Sequence, residues 1–297
     1  MASVRRRIIV TVSVLAVIAL VGAGIFGLWT LFHPVVKPVP ACVVATSGST
    51  VGSNGSTSSS PLSAANSYVL SPTQADNAAT IAGVGLRMGM PDHAVTVALA
   101  TALQESKLVN LSGGDRDSAG LFQQRPSQGW GTFAQVTDPV HASRAFYDKL
   151  AQVPGWAQLS VTEAAQSVQR SAAPDGYAQW TSEATAMAIA LTGEGAGGIT
   201  CQNITIGPPS TNIATLASAE LGTSKLSGAH DSAHGWAIAS WLVAHAQRLG
   251  VDQVTFNGST WTADSGTWSA SGPENGVLTL HQVPASTATS TPATTNG

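Results

Sequence analysis

Glu105 is the residue whose type and position could do chemistry. Apolar side chains recur before it at three- and four-residue spacing, which predicts a buried helix face beginning after Pro91 and Asp92. These side chains belong to Val95, Ala98, Leu99 and Ala102. Burial penalises a carboxylate, and the negative end of the helix dipole adds to that penalty, so we expect a raised pKa for Glu105. A carboxylic acid that keeps its proton near neutral pH is what the cleavage of a glycosidic bond requires.

A second element follows Glu105 across a polar loop. The loop covers 112–118, contains a Gly-Gly pair and three charged residues, and ends at Ser118. The run Gly-Leu-Phe-Gln-Gln at 120–124 then turns apolar briefly, and the chain returns to loop at Pro126. The spacing therefore predicts a short buried element that lies close in sequence to the end of the Glu105 helix.

The chain resembles the active-site signature of lytic transglycosylases and goose-type lysozymes in three features. They are the pair Glu105-Ser106, the loop residue Ser118, and the run Gly120-Leu121-Phe122-Gln123. Phe122 stands where that family often has methionine. The resemblance covers roughly 66–193, under half of the chain. It implies a mainly α, lysozyme-like domain that cleaves the glycan strands of peptidoglycan.

The resemblance also implies a mechanism with one carboxyl group and neither cofactor nor metal. Glu105 would protonate the leaving glycosidic oxygen and then, as a carboxylate, take a proton from the C6 hydroxyl of the sugar, which closes a 1,6-anhydro ring. Substrate-binding roles follow for Ser106, Ser118, Gln123, Gln124, Trp130, Gln169 and Tyr177. The serines would hold Glu105 or line the cleft, and the glutamines at 123 and 124 would contact N-acetyl or hydroxyl groups. Trp130 and Tyr177 are candidates for stacking on sugar, with a buried core position as the alternative.

The third motif of that family departs from its pattern here. Where the family has a Tyr-Asn pair facing the catalytic Glu, this chain has Val168-Gln169, followed by Pro174 and Tyr177. Gln169 could still hydrogen-bond substrate. An ordinary helix end, followed by a helix that Pro174 begins, is the alternative interpretation.

Two hypotheses of different class remain open at this point. The first is a glycan-cleaving enzyme, of transglycosylase or muramidase type. The second is a non-catalytic lysozyme-like protein that binds wall or scaffolds an envelope machine, with Glu105 a solvent-facing helix end beside Lys107. A hydrolase usually needs a second carboxylate, for which Asp115, Asp117 and Asp138 are the candidates.

Composition and the N-terminus bear on location. The net charge is −3 with 10% charged residues in 297, which argues against a nucleic-acid partner. Three arginines at 5–7 precede an uncharged run over 8–32, which predicts a membrane anchor with a cytoplasmic N-terminus and an extracellular bulk. A cleaved signal peptide is the alternative. We expect residues 1–33 to form a short basic cytoplasmic stub followed by the transmembrane anchor. We expect residues 34–65 to form a Ser/Thr/Gly/Pro-rich tether.

The rest of the chain is expected to form a helical domain over 66–193, a linker over 194–211, a small α+β module over 212–283 and a disordered tail over 284–297. The module is distantly similar to the D-Ala-D-Ala peptidase fold but lacks that fold's metal-binding pattern. We therefore expect surface or packing positions rather than metal ligation for its histidines and Asp231; these are His230, His234, His245 and His281. A wall-binding or protein-docking role suits the module better.

The cysteines are Cys42 and Cys201, which flank the predicted helical domain. If the chain is extracellular, a disulfide between them is chemically permitted, and two lone thiols are the alternative. We expect the disulfide, because exposed thiols oxidise in that compartment.

Overall fold

The structure is a computed structural model that describes residues 38–45, 67–171 and 173–285. The predicted stub and anchor, most of the tether and nearly all of the tail lie outside those residues. In the described ranges, no helix is both long and apolar enough to cross a membrane. Every described helix and strand belongs to one compact unit, which begins at Pro40.

Helices are the main regular secondary structure of this unit. The α-helices are α1 Pro72–Arg87, α2 Asp92–Ser106, α3 Phe133–Val136, α4 Pro139–Ala151, α5 Val161–Gln169, α6 Thr181–Thr192, α7 Ile213–Glu220, α8 Ser232–Ala244 and α9 Ala246–Leu249. Short 3₁₀ helices lie at Pro126–Gln128, Trp156–Gln158 and Pro174–Trp180. The mainly α character predicted for 66–193 is confirmed.

Local sequence explains where the main helices begin and end. Ser71 caps α1 in a reciprocal pair with Gln74, and Pro72 occupies its first turn, where a missing N–H costs nothing. Helix α2 ends at Lys107, which adopts a left-handed conformation with φ 56°. Asp138 caps α4, because its side chain accepts a hydrogen bond from the backbone N–H of His141.

Helix α2 is the centre of the helical part. It packs against α1, α4, α5 and α6. The sequence predicted that one face of this helix is buried. The structure buries every residue from Ala94 to Leu103, so the helix is buried on all its faces. A helix that is apolar all round belongs in the middle of a core. Glu105 therefore lies at the end of a helix that is buried on all sides.

A three-stranded antiparallel sheet joins distant parts of the chain. Strand β1, Ala41–Ala45, lies between β2, Ser67–Leu70, and β3, Ile199–Gln202. Cys42 pairs directly with Cys201 across β1 and β3, and the two form a disulfide. The predicted disulfide is confirmed. The segments expected as tether and linker contain β1 and β3 respectively.

A five-stranded antiparallel sheet forms the C-terminal part, in the order β4-β8-β5-β6-β7. Its strands are β4 Gly228–Ala229, β5 Val251–Phe256, β6 Ser259–Thr262, β7 Thr267–Ala270 and β8 Val277–Gln282. Asn257 and Gly258 form the hairpin turn between β5 and β6, with φ 47° and 79°. Helix α8 packs on β5, and Gly235 permits this approach, because a Cβ there would lie 2.0 Å from the ring of Phe256.

The helical part and the C-terminal part share one hydrophobic core. Helix α8 contacts α1 and α6 as well as β5. Apolar residues from both parts belong to a single buried cluster. A buried polar network also joins them: His245, fully buried, hydrogen-bonds Asp76 of α1 through Nδ1 and lies 3.0 Å from Oε2 of Glu220 through Nε2. Arg248 donates to the second oxygen of Asp76 over 3.1 Å.

Candidate active site

Glu105 lies in the last turn of α2 and is half-buried. The chain leaves the helix through two consecutive left-handed residues, Lys107 and Leu108, with φ 56° and 58°. Helix α1 fixes this exit, because Gln74 donates to the Lys107 carbonyl over 2.9 Å and Asn77 donates to the Leu108 carbonyl over 2.8 Å. The position of the carboxyl group is therefore set by two packed helices rather than by a free helix end.

Tyr177 and Gln169 bring two further segments to this carboxyl group. The Tyr177 hydroxyl donates a hydrogen bond to Glu105 Oε1 over 2.9 Å. Tyr177 lies on the 3₁₀ helix Pro174–Trp180, which packs on both α2 and α5. Gln169, the last residue of α5, lies beside the same carboxyl group. The first and third sequence motifs thus meet around Glu105.

The electrostatic setting of Glu105 favours its protonated form. Burial raises the pKa of Glu105 above its ordinary value, while hydrogen bonds from Tyr177 and Gln169 and the charge of Lys107 act in the opposite direction. Burial is the largest of these effects, so the net direction is upward. The raised pKa expected from the sequence is confirmed. The catalytic role of Glu105 stays a prediction.

The Gly-Leu-Phe-Gln element is tied to the same place by two hydrogen bonds. Ser106 Oγ donates to the Leu121 carbonyl over 2.7 Å, so the end of α2 is joined to this element. Gln169 Nε2 donates to the Phe122 carbonyl over 2.7 Å. Phe122 is fully buried and stacks on Phe146 of α4 at a ring separation of 4.9 Å. The predicted second motif is therefore part of the scaffold on which Glu105 is held.

Ser118 and Gln123 organise the polar loop internally. Ser118 Oγ, which is buried, contacts the Asp115 carbonyl at 2.7 Å and Gln123 Oε1 at 3.2 Å. Gln123, with φ 47°, donates from Nε2 to the Gly120 carbonyl over 3.1 Å. Both side chains are engaged within the loop, so their placement supports a role in loop shape.

Three of the predicted substrate contacts need correction. Gln124 is 1% exposed and donates to the Ala142 carbonyl over 3.0 Å, so it braces α4 and cannot reach a ligand on the surface. Tyr177 has no exposed surface, so its ring cannot stack on a sugar; its hydroxyl binds Glu105 instead. Ser106 is also buried and joins backbone segments rather than facing a cleft.

The candidate second carboxylates are engaged elsewhere. Asp117 accepts hydrogen bonds from Arg125 and from both the backbone and hydroxyl of Ser127, which hold its pKa far below the usual range. Asp138 caps α4, and Asp115 is exposed.

Glu183 of α6 is a carboxyl group that was not predicted from the sequence. Burial raises the pKa of Glu183, while the charge of Lys107 lowers it. Lys107 is thus within electrostatic reach of both Glu105 and Glu183. No spacing signal marks Glu183, because it reaches this region only through the packing of α6 on α2.

A groove opens beside Gln169. Its volume is about 750 Å³ and its walls come from α4, α5 and the chain around Trp130. Trp130 is 8% exposed, and the Lys149 ammonium lies 3.4 Å from its ring centroid. Arg170 completes this wall. The sequence did not single out the two cations, because nothing in their spacing shows that they share a wall.

A second Trp stands close to the carboxyl end of α2. Trp180 donates from its ring nitrogen to Gln104 Oε1 over 2.8 Å, and the Lys107 ammonium lies 3.9 Å from its ring centroid. Trp180 reaches this position through the packing of the 3₁₀ helix Pro174–Trp180 on α2. The contact holds Lys107 near the carboxyl groups that it influences.

The histidines of the C-terminal part do not gather around a common point. In the described ranges, no group of three or more His, Cys, Asp or Glu side chains could hold a metal ion. His281 faces Asp252 at 2.6 Å, and His230 and His234 lie 5.5 Å apart. Asp231 caps α8 by accepting from the backbone of His234. His245 is buried in the network with Asp76 and Glu220.

Comparison with known proteins gives a match to one family model. The model is described as VldE, C-terminal domain, and it matches residues 218–281. This stretch runs from the end of α7 into β8, under a quarter of the chain, and it leaves the Glu105 region unmatched. No curated protein sequence matches the chain. The chain is therefore similar to that domain family in its C-terminal part.

Proposed function

We propose that this protein cleaves the glycan strands of peptidoglycan as a lytic transglycosylase in which Glu105 is the single acid and base. The observation that carries the proposal is the half-buried Glu105, with its raised pKa, where two motifs that resemble that family meet the segment that carries Tyr177. The proposal also takes the run over 8–32 as a membrane anchor that holds the enzyme at the outer face of the cell membrane.

The first chemical step needs a protonated Glu105. Its burial supplies this state, because a carboxylate in partly desolvated surroundings is disfavoured. The acid transfers its proton to the glycosidic oxygen as the bond to the sugar anomeric carbon breaks. The leaving strand then carries the proton as a hydroxyl group.

The second step uses Glu105 as a carboxylate. It takes the proton of the C6 hydroxyl, and that oxygen attacks the anomeric carbon of the same sugar, which closes the 1,6-anhydro ring and returns Glu105 to its acid form. The Tyr177 hydroxyl supports the charged state between the two steps, because it donates to Oε1. Gln169 and Lys107 act in the same direction.

The single-acid mechanism is supported by the engagement of Asp115, Asp117 and Asp138 in other contacts or in solvent. Glu183 is the residue that could instead supply a second carboxylate for a hydrolase. Product analysis separates the two. Incubation of purified protein with peptidoglycan, followed by mass spectrometry, is expected to give anhydro-muramoyl ends. Reducing ends would show a hydrolase, and such a result with loss of activity in Glu183→Gln would assign Glu183 to it.

The second candidate function is non-catalytic wall binding or scaffolding of an envelope machine, with residues 212–283 as a possible protein-docking part. The specific observation in its favour is the absence of the Tyr-Asn pair at 168–169. Protein that co-sediments with purified cell walls but releases no soluble fragments would support this alternative and contradict the proposed enzyme.

A further inference from the structure

The groove beside Gln169 carries positive charge in a protein whose net charge is −3. Lys149 and Arg170 contribute to its lining, and the other lining residues include Trp130 and uncharged glutamines, with no carboxylate. Neither cation takes part in the ion pairs formed within the part of the chain that the structure describes. The groove therefore offers two positive charges to a ligand.

The Lys149 ammonium is held in place rather than extended into solvent. It lies 3.4 Å from the ring centroid of Trp130, which is a cation–π contact. Arg170 ends α5 in a left-handed conformation, with φ 52°, immediately after Gln169. Burial and the nearby Arg170 charge lower the pKa of Lys149, as expected for two like charges on one wall. An anion bound between them would relieve that repulsion.

Position identifies the part of the substrate that this groove could take. Gln169 lines the groove and also lies beside the Glu105 carboxyl group, so the groove adjoins the proposed point of cleavage. The glycan backbone of peptidoglycan is uncharged, whereas its peptide substituents carry carboxylates. A guanidinium group suits a carboxylate, because its planar fork can donate two parallel hydrogen bonds.

We propose that the groove formed by Trp130, Lys149 and Arg170 is an anion subsite that binds a carboxylate of the peptide substituent next to the cleaved glycosidic bond. This inference rests on the proposed function for the identity of the substrate. It makes the enzyme selective for strands that still carry acidic peptides, and it assigns recognition to residues that take no part in the proton transfers.

The test measures binding in a Glu105→Gln background, so that turnover does not interfere. Lys149→Met keeps a long aliphatic side chain beside Trp130 and removes the charge. Arg170→Asn removes the charge with a residue that tolerates the left-handed conformation. Arg144→Gln on α4 is the matched control, since Arg144 is exposed and does not line the groove. Calorimetry would compare soluble glycan fragments bearing peptides, the same fragments stripped of peptide, and fragments whose peptide carboxylates are amidated. Melting temperatures confirm that each variant is folded.

Each charge-removing variant is expected to weaken binding of the peptide-bearing fragment about tenfold, the size of one charge-assisted hydrogen bond. Binding of stripped and amidated fragments, and of every fragment to Arg144→Gln, is expected to stay unchanged. The subsite would be overturned if a charge-removing variant lost the same affinity for all three kinds of fragment, or lost affinity for none of them. It would also be overturned if the peptide-bearing fragment did not bind. Competition by a phosphate-rich wall polymer but not by peptide-bearing fragments would overturn the carboxylate assignment. Wild type that binds as described but releases no products would contradict the proposed reaction and leave the subsite standing.

Discussion

The hydroxyl of Tyr177 donates to Oε1 of Glu105 over 2.9 Å, across 72 positions of sequence. This contact opposes the effect of burial, because it stabilises the carboxylate while desolvation stabilises the acid. A group that must be first an acid and then a base needs both states to be accessible. The pair therefore has the balance that the proposed two-step reaction requires.

Replacement of Tyr177 by phenylalanine is expected to raise the pKa of Glu105 further, since the hydrogen bond that lowers it is removed. The alkaline limb of the pH–rate profile, which follows loss of the acid form, should then move to higher pH. The rate should fall by about ten- to a hundredfold, the equivalent of one hydrogen bond to a charged group. The pH dependence of product release measures both effects. Tyr68→Phe, on strand β2, is the control, and an unmoved alkaline limb in Tyr177→Phe would contradict the proposed role of this hydroxyl.

Ser106 is expected to act through stability rather than through substrate contact. Its Oγ joins the end of α2 to the Leu121 carbonyl over 2.7 Å, so Ser106→Ala leaves a buried acceptor unpaired. The free energy of unfolding should fall by about 1–3 kcal/mol. Denaturant titration measures the change. Ser167→Ala is the matched control, because the Ser167 hydroxyl donates to the Glu163 carbonyl within its own helix. An equal decrease in the free energy of unfolding in Ser167→Ala would contradict the special role of Ser106.

The buried His245 predicts a stability profile with two limbs. Burial lowers the pKa of His245, but the carboxylates of Asp76 and Glu220 outweigh it and raise the pKa from 6.5 to about 9. Because the folded pKa is the higher one, this stabilisation is complete below pH 6.5 and disappears as the pH rises through about 9. Burial raises the pKa of Asp76, but His245 and Arg248 together outweigh burial and lower this pKa below 3.8. The stabilisation from Asp76 is therefore present above pH 3.8 and disappears as the pH falls through the lower, folded-state pKa.

Unfolding by denaturant at a series of pH values tests this profile. The alkaline loss attributable to His245 should be on the order of 3 kcal/mol, from the shift to about 9. His245→Gln should flatten the alkaline limb and destabilise the protein by about 3–5 kcal/mol, because the buried Glu220 and the partly buried Asp76 lose their partner. His281→Gln is the control, since that side chain is exposed. An alkaline limb that persists in His245→Gln would show that another group produces it.

The Cys42–Cys201 disulfide closes a loop over a sequence separation of 159 residues. Its removal in the double serine variant is expected to lower the free energy of unfolding by about 2–5 kcal/mol, because the unfolded chain gains freedom. Thermal unfolding with and without reductant measures the effect. Reductant should destabilise the wild type and leave the double serine variant unchanged. A wild type that is indifferent to reductant, with its thiols shown to be free, would contradict the prediction.

Local sequence predicted the parts of the site that local forces determine. The Glu105 helix follows from apolar spacing that begins at its first turn. Strands β1 and β3 were missed, because their hydrogen-bond partners lie far away in sequence and their flanks have the composition of linkers.

Side-chain partnerships were the least predictable feature. Tyr177 and Glu105 meet only because the 3₁₀ helix Pro174–Trp180 packs on α2, and Lys149 and Arg170 share a wall only because α4 packs beside α5. Similarly, His245 is buried because α8 packs on α1, which the sequence of the C-terminal part alone does not indicate. Such contacts depend on how the helices pack together, so they could not be predicted from residue spacing or composition.

The most direct test of the central claim is the rate at which Glu105→Gln releases soluble products from peptidoglycan, measured beside its binding to the same material. The proposed mechanism predicts a rate loss of about 10² to 10⁴-fold, typical of a missing general acid, with binding unchanged. Glu274→Gln, an exposed glutamate, should retain the wild-type rate. A Glu105→Gln protein that releases products at the wild-type rate would contradict the claim that this carboxyl group performs the reaction.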